Sequence, residues 1–234
     1  YLVKRFEKDG FIIIKSAIKR KQIAELFKNI ENIYDLILSK HKIIKKFKNI
    51  NEKYLWLRNN NNIMRGRAYD ITKHLPYLYE ISTGKNILRY IKLLLQDHPI
   101  IDFPQVRVDD NSNTHALPIH QEFFGQLSEN VITLWTPLVN VSNKTGTLSI
   151  IKGSHKRGKL KHTDYIYKKN KYHGVVKSLY SKEDVINLNL KAGDSVLFNS
   201  KILHGTTKSQ KNNNQIRWTL VSRYNDLSGI RYLK

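Results

Sequence analysis

Residues 131–151 read VITLWTPLVNVSNKTGTLSII. Two runs rich in Val, Ile, Thr and Trp, Val131–Val139 and Thr147–Ile151, flank the turn-forming cluster SNKTG. β-branched and aromatic side chains suit a pleated, half-buried surface, and Ser, Asn and Gly suit the bend, so the stretch predicts two strands and their connection. The same texture extends outward through Ile101–Val108 on one side and Val185–Leu190, Ser195–Phe198 and Gln215–Tyr224 on the other. Many short strands at this spacing predict a sandwich or barrel rather than βαβ units. The basic, Tyr-containing stretch Lys156–Tyr172 and the Asn-rich Lys208–Asn214 read as exposed loops between strands.

Upstream of Asp97 the periodicity is helical. Ile23, Leu26, Phe27, Ile30, Ile33, Tyr34 and Ile37 recur every three or four residues, which predicts an amphipathic helix over 21–40. A polar break at Asn59–Asn62 precedes a second helix over 83–96, with Ile87, Leu88, Ile91, Leu94 and Leu95 inward. The first fifteen residues, YLVKRFEKDGFIIIK, predict a short helix, a turn at Asp9-Gly10 and a buried strand Phe11–Ile14, with Ser16 as cap of the next helix. Helices first and strands after predict an α+β arrangement in which the helices brace a β core. No repeat and no clean linker interrupts it, so 1–234 is expected to form one domain.

Composition narrows the chemistry. With 40% hydrophobic and 26% charged residues the chain can bury a core, which excludes a fully disordered chain, a collagen or a coiled-coil rod. Cysteine is absent, so disulfides, thiolate zinc sites, iron–sulfur clusters and a cysteine nucleophile are excluded, and any metal must be held by His, Asp or Glu. No apolar run approaches the ~18 residues of a membrane span and the start does not read as a signal peptide, so a soluble cytoplasmic protein is expected. The sequence begins at Tyr1 rather than Met, and its true start is expected upstream. Forty-one Lys and Arg against nineteen Asp and Glu give a net charge of +22, which attracts anions. The excess is mostly Lys and travels with Ile, Asn and Tyr, as the codons of an AT-rich genome would also produce. Charge alone therefore names no partner.

His120-Gln121-Glu122 follows Pro118. On a strand, residues i and i+2 face the same side, so His120 and Glu122 can present an imidazole nitrogen and a carboxylate to one point. His204 comes later, in LFNSKILHGTT. Two His and one carboxylate are the ligand set of the facial triad of non-haem Fe(II) oxygenases, which leaves positions open for a 2-oxo acid and O2. Arg217, in the strand-like run Ile216–Thr219, needs a partner if it is buried. The distal carboxylate of 2-oxoglutarate suits its planar fork. A lone H-x-E is a weak signal; the distant His and the Arg on β-type segments strengthen it.

Three ordered blocks go further: FEKDGFIIIKSAI at 6–18, LPIHQEFFGQLSENVITLWTPLVNVSNKTGTLSIIKGSHKRG at 117–158 and LKAGDSVLFNSKILHGTTKSQKNNNQIRWTLVSRY at 190–224. Together they resemble the phytanoyl-CoA dioxygenase family of Fe(II)/2-oxoglutarate-dependent oxygenases. The resemblance implies a double-stranded β-helix, a jelly-roll core of the cupin kind, braced by N-terminal helices. It also implies iron ligation by His120, Glu122 and His204, with Arg217 and Thr206 holding 2-oxoglutarate and Trp135 and Gln105 lining its pocket. The family usually has H-x-D where this chain has H-x-E. Glutamate keeps the charge and the oxygen donor, and its presence argues against halogenation, which needs a small residue there.

Plainer readings stand beside these. His120 with Glu122 would otherwise be a surface pair or a core hydrogen bond, His204 a turn cap before Gly205, Arg217 a strand-edge charge and Trp135 a core residue. His155 in the Gly-Ser-His segment is either part of a family motif or a structural turn. Asp109, Asp110 and His115 read as loop residues, and Arg65, Arg67 and Tyr69 as a solvated loop that could reach an anionic substrate. The expected reaction is hydroxylation of a small, anionic metabolite, using Fe(II), 2-oxoglutarate and O2. The alternatives are a nucleic-acid dealkylating dioxygenase, for which Arg217 and Arg223 supply an Arg-x5-Arg pattern, and a catalytically silent, basic cupin-like binding module.

Overall fold

The helix α1 (Leu2–Asp9) ends where Gly10 takes φ 81°, its N–H returning to Phe6 O at 2.7 Å. Glycine enters this left-handed region without a Cβ clash, so the turn expected at Asp9-Gly10 forms. The chain then runs into β1 (Phe11–Ile14), which pairs antiparallel with β8 (Ser195–Asn199), Phe11 opposite Phe198. The molecule is described from a computed structural model, covering residues 1–110, 117–122, 126–167, 170–210 and 215–229. His115 and the end of the Lys208–Asn214 stretch lie outside the described residues.

The larger sheet has the order β1-β8-β3-β10-β2, with β2 at Pro99–Asp109, β3 at Val131–Pro137 and β10 at Arg217–Asp226. Its pairs are antiparallel. The smaller sheet joins β7 (Val185–Asn187), β4 (Leu148–Ile151) and β9 (Leu203–Thr206). Side chains alternate across each strand, and β3, β4, β8 and β10 are buried along almost their whole length because both of their faces are covered. Ile132, Leu134, Leu197 and Tyr224 face α6 (Lys85–Leu95), packing on Ile87, Ile91 and Leu95. Their neighbours Trp135, Val196, Phe198 and Val221 point the other way, onto Leu148 and Ile150 of the smaller sheet. The result is a double-stranded β-helix with helices on the outside of its larger sheet, an α+β fold.

The remaining helices cover the same outer face. α2 (Arg20–Lys40) buries Ile23, Leu26, Ile30, Tyr34 and Ile37 as its periodicity predicts. Trp218 of β10 lies beneath it, edge-on to Phe27, Tyr34 and Tyr54. The polar break at Asn59–Asn62 separates α3 (Ile50–Asn60) from α4 (Asn62–Thr72). Asn61 serves both: its N–H closes α3 on Leu57 O and its side chain accepts from Met64 N. α5 (Pro76–Ser82) follows.

Three expectations need correction. Ser16 does not cap α2; it sits at φ 49° and donates its N–H to Asp194 Oδ1, while Lys19 occupies the N-cap position. The stretch Lys156–Tyr172 is not a loop: a 3-10 turn (Ser154–Arg157) leads to a hairpin of β5 (His162–Tyr167) and β6 (Asn170–Val175). Arg65, Arg67 and Tyr69 lie on helix α4, not on a loop.

Asp194 anchors the β1–α2 turn by accepting from Lys15 Nζ at 2.9 Å, Ser16 N at 3.0 Å and Lys191 N at 3.1 Å. Burial opposes its charge, but the bonds from Ser16, Lys15 and Lys191 hold the carboxyl below its ordinary pKa. Lys15 is largely exposed, so the two backbone donors carry most of the stabilisation. Asp194→Asn is expected to cost about 1–3 kcal/mol, measurable by thermal unfolding near neutral pH. Because the folded-state pKa is depressed, the wild-type advantage is complete above about pH 4 and shrinks as the pH falls further.

Candidate active site

A strand-like segment, 117–122, runs antiparallel beside β9. His120 and His204 exchange backbone hydrogen bonds at 2.8 and 3.1 Å, and Glu122 N donates to Ser200 O at 2.8 Å. This extends the smaller sheet, and the hairpin continues it, Val175 N donating to Ile119 O. His120 therefore occupies an isolated bridge and Glu122 a bend rather than one regular strand, yet both side chains reach the same point. His204 arrives from β9, whose other neighbour is β4, with Ile150 opposite it.

The ligand atoms of His120, Glu122 and His204 all lie within 4.8 Å of one another. Glu122 Oε1 is 3.5 Å from His120 Nε2 and 3.7 Å from His204 Nε2. Each ring is oriented by its own backbone: His120 Nδ1 is 2.8 Å from Pro118 O, and His204 Nδ1 is 3.0 Å from Ile202 O. A carbonyl only accepts, so both Nδ1 atoms carry the proton and both Nε2 lone pairs face Glu122. Burial, and then the neighbouring His120, pushes the His204 pKa below the ordinary value, which favours the neutral, ligating form. Burial alone would raise the pKa of Glu122; the close approach of His120 and His204, and the charge and bond of Arg223, hold it well below the carboxylate range.

The group opens on a narrow cavity between the sheets, lined also by Thr133, Trp135, Thr206, Arg217, Thr219 and Val221. Arg217 is 4% exposed, so its charge must be compensated. Its Nε and Nη2 donate to Asp109 Oδ2 at 3.2 and 2.8 Å. Asp109 is thus the last residue of β2 and an ion-pair partner, not a loop residue. Asp110 is buried, accepting from Tyr54 and Arg58, and is not a loop residue free in solvent. Gly146, at φ 78°, lies against Arg217, where a Cβ would approach Nη1 to 3.0 Å. The hydroxyls of Thr133 and Thr219 are buried without a hydrogen-bond partner, which leaves polar capacity for a ligand in the cavity. Thr206 Oγ1 accepts from Leu117 N at 3.0 Å.

Of the seven residues singled out in the sequence, six line this cavity. Gln105 does not: it shares the inward face of β2, opposite Val221, but its Oε1 accepts from Tyr69 OH at 2.6 Å. His155 stands outside, its Nε2 donating to Glu7 O at 3.0 Å; the Gly-Ser-His segment is a structural turn. Ser154 there accepts from Leu203 N at 2.7 Å and so fixes the entry to the strand that carries His204. Two residues went unassigned to the site, Asp109 and Arg223. Arg223 Nε donates to Glu122 Oε2 at 2.6 Å. The strand period could have found it, since 217, 219, 221 and 223 fall on one face of β10.

A second cavity of about 270 Å3 adjoins the first, sharing Arg107 and Asp109 with it. Tyr34, Tyr54, Tyr69 and Trp218 give it an aromatic wall, and Arg65 and Arg107 give it positive charge.

Solved structures share this architecture. The non-heme monooxygenase ThoJ superposes with a TM-score of 0.70 at 16% identity, over 97% of this chain and 77% of its own. The epimerase SnoN in complex with Fe3+, alpha ketoglutarate and nogalamycin RO gives 0.66 at 15%, over 96% and 82%. EctD from S. alaskensis with 2-oxoglutarate and 5-hydroxyectoine gives 0.62 at 15%, over 97% and 76%. Human peroxisomal phytanoyl-CoA dioxygenase is 25% identical over 88% of this chain; the chain spans 63% of that relative's length. Because the sequence profile of one family matches residues 6–214, nearly the whole chain and every side chain of the His-Glu-His group, the protein belongs to the phytanoyl-CoA dioxygenase family.

Proposed function

We propose that this chain is a non-haem Fe(II)/2-oxoglutarate-dependent dioxygenase that hydroxylates a small, anionic metabolite, with residues 1–234 working as one cytoplasmic domain. The observation that carries the reading is the convergence of His120, Glu122 and His204 within 4.8 Å, beside a buried Arg217. Bound iron, with 2-oxoglutarate and O2, would supply the oxidising chemistry. The residues present fit that group: two imidazole lone pairs and one carboxylate oxygen face a common point, and unpartnered hydroxyls line the space beside it.

The chain's own residues supply binding and orientation. His120 and His204 would ligate through Nε2 and Glu122 through Oε1. Arg217 would receive the distal carboxylate of 2-oxoglutarate on the donors Asp109 leaves free, with Thr206 and Thr219 as hydroxyl donors and Trp135 as a wall. Gln105 would act at one remove, by holding Tyr69. The adjoining cavity, with Arg65 and Arg107 among tyrosines, supports a substrate that is small and anionic.

The intact His-Glu-His group weighs against a catalytically silent binding module. The Arg-x5-Arg pattern does not favour a nucleic-acid dealkylase, because Arg223 is spent on Glu122 inside the cavity. Among the described residues, no helix is long and apolar enough to cross a membrane. The test is succinate formation from 2-oxoglutarate by the Fe(II)-loaded protein in air, read as uncoupled turnover with no primary substrate added. Succinate that requires both Fe(II) and O2 supports the reading. A folded, Fe(II)-binding protein that releases none overturns it.

A further inference from the structure

Glu122 carries one methylene more than the aspartate usual at its position, and a longer arm can swing both carboxylate oxygens onto one metal. The two oxygens are not equivalent in this structure. Oε1 faces His120 and His204 at 3.5 and 3.7 Å, whereas Oε2 accepts from Arg223 Nε at 2.6 Å. Arg223 is itself held. It lies on the inward face of β10, opposite Thr133 of β3 and Asp102 of β2, and its side chain is 13% exposed. The register with β2 shifts between Val221 and Arg223, while that with β3 runs through without a break. The extra residue therefore belongs to β2, at Phe103–Pro104, where Pro104 has no N–H to contribute to the ladder.

We propose that Arg223 is a positioning residue that sequesters Oε2 of Glu122, so that this glutamate gives the metal one oxygen and leaves the positions needed by a chelating 2-oxo acid open. The inference rests on the metal-site reading above. A guanidinium holds its geometry because its fork is planar and always charged, and a carboxylate oxygen already in a short charge-assisted bond is withdrawn from the metal. The pairing of a glutamate with Arg223 thus reproduces the ligand count that a shorter aspartate reaches without help.

The test uses Co(II) and Mn(II) as probes, with 2-oxoglutarate as the second ligand. In Arg223→Met, Co(II) is expected to bind at least as tightly as in the wild type, because the freed oxygen joins the metal. Affinity of the Co(II) protein for 2-oxoglutarate should fall about 10–100-fold, the usual scale for losing a residue that orients a metal ligand. Water-proton relaxation by the Mn(II) protein should drop, since one exchangeable water position is lost. In the Glu122→Asp background the side chain no longer reaches Arg223, so Arg223→Met should then change 2-oxoglutarate binding little. A simple charge effect of Arg223 would persist in that background and would overturn the proposal. So would Co(II) and 2-oxoglutarate affinities in Arg223→Met equal to the wild type, or the loss of both together. Should Arg223→Met not fold, Arg223→Lys carries the same comparison, with a smaller loss of 2-oxoglutarate affinity and unchanged Co(II) binding expected. Wild-type protein that binds no Co(II) sinks the metal-site reading itself, which keeps the two failures apart.

Discussion

His204→Ala is expected to abolish divalent-metal binding at working concentrations and, with it, any succinate formed from 2-oxoglutarate. His204 is 3% exposed, and its Nδ1 is already committed to Ile202 O, so its Nε2 points into the cavity with nothing else to do. Removing it leaves His120 and Glu122, one imidazole and one carboxylate. Structural four-ligand zinc sites bind with roughly 10–16 kcal/mol in total, about 2.5–4 kcal/mol per ligand. Losing one of the three ligands here should therefore cost on that order, roughly 70- to 900-fold in affinity. Titration with Co(II) reads this directly. The substitution also removes a ring packed 4.5 Å from Phe198, so some stability is lost as well. Circular dichroism separates the two effects: a folded variant that still binds Co(II) like the wild type contradicts the assignment of the ligand.

How much of this was legible in the sequence follows from what kind of information each feature needs. The β-branched and aromatic runs of β3, β8 and β10 and the period-3.6 run of α2 are local; burial in α2 follows the helical period, while the three strands are buried on both faces. Helices α3 to α5 are less visible because their apolar faces are thin. In α4 only Ala68 and Thr72 are buried, and Gly66 interrupts the middle. The hairpin of β5 and β6 was hidden for a related reason: its basic, polar composition resembles a loop, and its pairing to 117–122 is made by backbone, as Val175 N to Ile119 O shows. His120, Glu122, His204 and Arg217 were legible as a set because their chemistry is costly to bury without a shared purpose. Asp109 and Arg223 were not placed at the site, because their partners lie 108 and 101 residues away and only strand register brings them together. Ser16 shows the limit of local capping rules. A serine before a helix is a fair cap, but here its N–H is claimed by Asp194, 178 residues on.

Arg217→Met is expected to weaken 2-oxoglutarate binding by about 2–5 kcal/mol, some thirty- to several thousand-fold, while Co(II) affinity stays near the wild-type value. The argument starts from burial. A guanidinium that is 4% exposed sits in a medium where an ion pair is strong and an unpaired charge is expensive, and Asp109 meets only its Nε and Nη2. Among the described residues nothing accepts from Nη1. Arg217 also lines the narrow cavity that holds His120, Glu122 and His204, and from that cavity a second carboxylate can engage the fork. Methionine keeps the length and most of the volume of arginine but offers no donor. His120, Glu122 and His204 depend on other backbone contacts, so a metal held by them should bind as before. Arg217→Lys should lie between the two, because an ammonium keeps the charge and loses the bidentate geometry. Asp109 is left without its partner in Arg217→Met, and since its side chain is 23% exposed the resulting loss of stability should be modest. Titration of the Co(II) protein with 2-oxoglutarate separates the outcomes: weakened 2-oxoglutarate binding with intact metal binding places the co-substrate on Arg217. Equal affinities for 2-oxoglutarate in all three proteins would mean that Arg217 serves Asp109 and the strand edge alone, and that the carboxylate is held elsewhere.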